Sequence, residues 1–114
     1  MVTAYIRCVL DLYRSIPDTP NRARPADRQL AATLQQQGIS LDIIAAAFVL
    51  ATARRHYRDP EVPALTPVRS LRYYLPVIRE LLLNPPPEGY CESLRRRLKA
   101  HAPGLLAEID HRIP

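Results

Sequence analysis

Apolar residues recur along this chain at intervals of three and four, and no stretch sustains the alternation of a strand. Val2, Ile6, Val9, Leu10, Tyr13 and Ile16 line one face of a first helix, with Tyr5 and Leu12 at its edge and Arg7, Asp11 and Arg14 opposite. Such a stripe describes an amphipathic helix docked on a core. Pro17-Asp18-Thr19-Pro20 stops it, because two prolines exclude continuation and Asp18 favours a turn. Pro25 suits the first position of a second helix, Asp27 falls in the first turn where the helix dipole favours an anion, and Gly38 suits a left-handed C-cap. Ser40 is a good N-cap for a third helix, from Leu41 to about Tyr57, that is apolar nearly all round through Ala51. A helix with no polar face belongs in the middle of a bundle.

After the proline-held loop Asp59 to Leu65, Thr66-Pro67 opens a fourth helical stretch that Pro76 interrupts. The expectation there is a kink, or two short helices over roughly 67–75 and 76–83. Asn84-Pro85-Pro86-Pro87 is an extended connector. A fifth helix follows from about Glu88 to Ala100, with Tyr90, Leu94 and Leu98 on one face, and Leu105, Leu106 and Ile109 suggest a short final one. The reading is all-α: one helical domain over 1–114, a compact bundle of five to six helices around the central apolar helix at about 41–57.

Composition refines this picture. Hydrophobic residues are 47% of the 114, enough for a core, but aromatic residues are only 6%, with one Phe and no Trp. Sixteen basic residues against 11 acidic ones give a net charge of +5, and Lys99 is the only lysine. Arginine offers a planar fork for phosphates, carboxylates and aromatic faces, while a GC-rich genome produces the same bias without functional demand. Cys8 and Cys91 stand in no paired motif and are read as cytosolic thiols. The N-terminus does not read as a secretory signal, and the longest apolar run, Ile43 to Ala51, is far short of the roughly 20 residues of a membrane span. These features place the protein in the cytoplasm, with no membrane partner.

The Gly38-Ile39-Ser40 junction has the spacing of a helix-turn-helix. The positions that would face a groove are Leu41, Asp42, Ala45, Ala46 and Val49, which cannot read bases, so a buried helical hairpin is the preferred reading. Arg22, Arg24 and Arg28 surround the start of the second helix. Arg54, Arg55, His56 and Arg58 close the third, Arg69 and Arg72 open the fourth, and Arg95, Arg96, Arg97 and Lys99 sit in the fifth. Cations at a helix C-terminus also stabilise the dipole, which gives the third-helix cluster a purely structural use. Tyr57 lies beside Arg54 and Arg58, and Tyr73-Tyr74 beside Arg72, an interleaving that could stack unpaired bases. Adjacent helical tyrosines point about 100° apart, so at least one of Tyr73 and Tyr74 belongs to the core. His56, His101 and His111 lack metal-binding spacing, and neither a Gly-rich phosphate loop nor a nucleophile motif is present. No enzyme, cofactor or metal is inferred.

The order of features, from Ile16-Pro17-Asp18-Thr19-Pro20 through Arg24-Pro25-Ala26-Asp27-Arg28 and Gly38-Ile39-Ser40-Leu41 to Arg69-Ser70-Leu71-Arg72-Tyr73-Tyr74-Leu75-Pro76, resembles small helical domains of bacterial mobile elements. More loosely, residues 5–83 are similar to the helical domain of DnaD-type replication-initiation proteins. That resemblance implies DNA engagement and points to Tyr73 and Tyr74. The combined expectation is a non-catalytic nucleic-acid-binding accessory of a mobile-element, replication or defence complex, with DNA ahead of RNA and a protein partner in the complex. Its contacts would be Arg54, Arg55, Arg58, Arg69, Arg72, Tyr73, Tyr74, Arg95, Arg96 and Lys99. The alternative is a helical interaction subunit that docks an acidic protein without touching nucleic acid.

Overall fold

The computed structural model describes residues 3–16, 19–20, 22–57, 68–85 and 87–101, with the backbone alone at 91, 95 and 98–101. The first helix, α1 (Ala4–Ser15), starts where the Thr3 side chain accepts the Ile6 N–H at 3.2 Å. At its other end the Thr19 hydroxyl reaches the carbonyls of Tyr13 and Ile16, at 2.9 and 2.6 Å, which the helix ladder leaves open. The second, α2 (Pro25–Gln36), begins on Pro25 as expected and ends in a Schellman motif. Gly38 takes φ +74°, its N–H bonds the Gln35 carbonyl at 3.0 Å, and Ile39 N–H returns to Leu34 at 3.2 Å. A β-carbon at Gly38 would meet no neighbour, so glycine is favoured there by the positive φ and not by crowding.

Ile39 is buried, its carbonyl accepts the Tyr5 hydroxyl at 2.7 Å, and Ser40 caps α3 (Leu41–His56) through the Ile43 N–H. Nine consecutive or near-consecutive residues of α3, from Ile44 to Ala53, are buried. It packs against α1, against the short 3-10 helix Leu71–Tyr74, and against α4 (Leu75–Leu83) and α5 (Tyr90–His101). The apolar helix is therefore the centre of the bundle, as its pattern predicts. The hairpin expectation needs correcting, because α2 and α3 diverge after the Gly38 turn. α2 instead lies on α1 and on the 3-10 helix.

Pro76 produces the predicted interruption in a specific form. The 3-10 turn ends at Tyr74 and α4 starts directly, with Pro76 in its first turn, where a missing N–H breaks no helical bond. α5 runs one or two residues later at each end than the sequence suggests, after Gly89 at φ +84°. Leu94 is buried there as expected, whereas Tyr90 at the first position is 46% exposed. Residues 58–67 and the final short helix near 105–109 lie outside the described residues. Among the described residues the regular structure is all helical, with no strand, and no helix is long and apolar enough to cross a membrane.

Among the described residues Asp27 is the buried charged group in this interior, where Thr52 is the other buried polar residue. Asp27 is 2% exposed, and its two carboxylate oxygens take different partners. Oδ2 accepts the Arg24 N–H at 2.9 Å, closing the first turn of α2, and Oδ1 accepts the Leu71 N–H at 3.0 Å, 44 residues further along. A carboxylate buried without donors would be prohibitively desolvated, so these two bonds hold it in place as firmly as it holds them. Asp27→Ala leaves the buried Leu71 N–H and the part-buried Arg24 N–H without their acceptor and is expected to cost roughly 1–4 kcal/mol. Asp27→Asn, which keeps one acceptor and turns an amide N–H toward the other donor, should cost less. Urea midpoints at constant slope would measure both, and two variants as stable as the parent would show that the carboxylate ties nothing together.

Candidate nucleic-acid interface

Because a 3-10 helix has three residues per turn, positions i and i+3 share a face. Leu71 and Tyr74 are accordingly both buried, at 0% and 1% exposure, and Arg72 and Tyr73 are both turned outward. The Asp27 bond to the first N–H of this turn sets which pair goes in. Tyr74 packs edge-on against Phe48, with ring centroids 4.8 Å apart, and against Tyr13 at 6.3 Å. Burial, and after it the charge of Asp27, pushes the Tyr13 hydroxyl up to about 12, with Arg24 pulling the other way. Tyr74 was expected among the nucleic-acid contacts. That assignment is corrected: the ring is inside the core, where no base can reach it.

Tyr73 is 43% exposed and does not stand alone. The Arg55 guanidinium carbon lies 5.6 Å from the Tyr73 ring centroid, and Arg55 donates to the Tyr73 hydroxyl at 3.1 Å. The end of α3 and the 3-10 turn thus present one joined cation-aromatic surface. Arg69 and Arg72 flank it along the chain, and both are exposed. Arg54 takes no part in it. Its fork is closed on Glu80 by two bonds, at 2.8 and 2.6 Å, which hold the Glu80 carboxyl below its ordinary range and raise Arg54. The pair ties α3 to α4 at the surface, with the Arg54 side chain about half exposed. Arg96 is exposed and sits 3.6 Å from Glu92 one turn away. Arg58, and the side chains of Arg95 and Lys99, lie outside the described residues.

Two further groupings were not anticipated. Arg7 and Arg14 from α1, Arg22 from the loop and Arg28 from α2 border one recess of about 280 Å³, with Leu10 and Asp11. Asp11 pairs with Arg14 one turn along the same helix. In the sequence Arg7 and Arg14 read as the solvated side of α1. Their spacing of seven does place them on one flank, but only the packing of α2 on α1 brings Arg22 and Arg28 opposite. The second grouping is a groove of about 530 Å³ between α2 and the 3-10 helix with α4. Leu30, Leu34, Leu75 and Leu82 contribute its apolar lining, and Arg72 and Arg79 also border it.

The two adjacent tyrosines should separate cleanly in stability. Tyr74→Ala empties a core site and is expected to cost about 3–5 kcal/mol, whereas Tyr73→Ala should cost about 1 kcal/mol or less. Thermal or urea unfolding of the pair would reveal equal losses if both rings were structural. Comparison with protein-family models, with curated proteins and with solved structures finds no match to this chain.

Proposed function

We propose that this chain is a non-catalytic nucleic-acid-binding accessory subunit, of the kind that serves a mobile-element, replication or defence complex. The observation that carries the reading is the Asp27 tie. By bonding the Arg24 and Leu71 amides with one carboxylate, it gathers the arginine-bearing start of α2 and the Arg69–Arg72 segment at one place on the surface. Arg24, Arg69 and Arg72 are exposed there, and their role is to hold phosphates through charge-assisted bonds. Tyr73, steadied by Arg55, offers a half-exposed ring on which an unpaired base can stack. The proposed resemblance to DnaD-type helical domains points to the same segment, with Tyr73 as its exposed tyrosine. DNA, single-stranded or with unpaired ends, is the partner this surface suits.

The groove between α2 and α4 supports a second reading, docking of an acidic protein segment. Its apolar lining would take the segment's side chains, and Arg72 and Arg79 would meet its carboxylates.

A salt titration of binding to single-stranded DNA, duplex DNA and RNA separates the two. Log affinity should fall with log salt by about 0.7–0.9 per phosphate contacted. Arg69→Gln with Arg72→Gln should flatten that slope by on the order of one to two such increments. Tyr73→Ala should weaken single-stranded binding at an unchanged slope. Absence of binding to any nucleic acid at low salt would overturn the first reading and leave the groove reading.

A further inference from the structure

The recess between α1 and the start of α2 has a chemistry that differs from the open surface around Arg69 and Arg72. Arg7 and Arg14 come from one wall, two turns apart on α1, and Arg22 and Arg28 come from the other. Four guanidinium groups around one small space repel one another, and Asp11, engaged with Arg14, offsets only one of them. Among the described residues the recess is therefore lined by four arginines and a single carboxylate. Leu10, buried beneath, leaves the polar side of the space to the arginines and Asp11.

Donors that converge from opposite walls match a particular acceptor. An internal phosphodiester has one charge and two outward oxygens, and it runs on in both directions along its strand. A terminal phosphate or a pyrophosphate carries about two or more charges and presents three oxygens to one side, each able to take an arginine fork. A half-open recess of about 280 Å³ between α1 and the start of α2 suits such a compact end group better than a continuous strand.

We propose that the Arg7, Arg14, Arg22 and Arg28 recess is a binding site for a compact, multiply charged phosphate group, a phosphomonoester or pyrophosphate. Two sources share this chemistry: the phosphorylated end of a nucleic-acid strand, which rests on the reading above, and a small phosphorylated molecule, which does not.

The test is calorimetric titration of the full chain with inorganic pyrophosphate at low salt. A parallel titration uses two oligonucleotides identical but for a 5′-phosphate or a 5′-hydroxyl. Saturable pyrophosphate binding at one site is expected. Arg22→Gln and Arg28→Gln, both at exposed positions, should each weaken it by on the order of tenfold. Arg97→Gln, which removes the same charge from α5, should leave it unchanged. Circular dichroism checks that each variant folds. Tighter binding of the 5′-phosphate oligonucleotide, lost in the same two variants, supports the site with a strand end as its source. Equal binding of the two oligonucleotides, or none, together with saturable pyrophosphate binding, supports it with a small molecule as source. Pyrophosphate that does not saturate, or that binds the Arg22 and Arg28 variants as well as the parent, overturns the proposal. Neither result bears on the salt-dependent surface at Arg69 and Arg72, so the two readings fail separately.

Discussion

The Asp27 carboxylate joins two parts of the chain that lie 44 residues apart in sequence. Among the described elements, α2 rests mainly on α1 and on the 3-10 turn and not on the central α3. Its first turn and that turn are bonded through Asp27, with Arg24 on one oxygen and Leu71 on the other. A purely apolar contact between the two would bury the same surface but would tolerate sliding. Two directional bonds to a buried charge do not, because any shift leaves a carboxylate oxygen or an amide unsatisfied in a dry place.

That register determines the surface. Leu71 and Tyr74 go inward as one face of a three-residue turn, and Arg72 and Tyr73 are therefore turned outward. The inward pair completes an aromatic cluster with Phe48 and Tyr13 in a core otherwise built from aliphatic side chains. Tyr73 of the outward pair meets Arg55 at the end of α3, while Arg54 beside it is closed on Glu80. Neighbouring arginines thus have opposite fates, one fastening α4 to α3 and one supporting an exposed ring. The exposed surface of Arg72, Tyr73 and Arg55 is a consequence of how the core is pinned.

Much of the fold was legible because its signals are local. Pro25, Gly38, Ser40 and Pro76 each act through the backbone of their own residue and its neighbours, and each acts where expected. The all-apolar run of α3 announced its central place. Asp27 was legible only as a dipole partner for α2, since its bond to Leu71 spans 44 residues and leaves no trace in periodicity. The site was less legible for the same reason. Adjacency in sequence grouped Arg54 with Arg55 and Tyr73 with Tyr74, and tertiary packing divides both pairs. The recess shared by Arg7, Arg14, Arg22 and Arg28 depends on α2 lying on α1, so a reading by clusters along the chain passes over it.

Leu71 is the first residue of its 3-10 helix, so its N–H has no partner within that helix and is held by Asp27 alone. Native-state hydrogen exchange at this single amide is therefore the most direct test of the tie. Protection comparable to that of the buried amides of α3, lost selectively in Asp27→Ala, is the predicted result. Exchange at the rate of an exposed loop amide, while α3 stays protected, would contradict it.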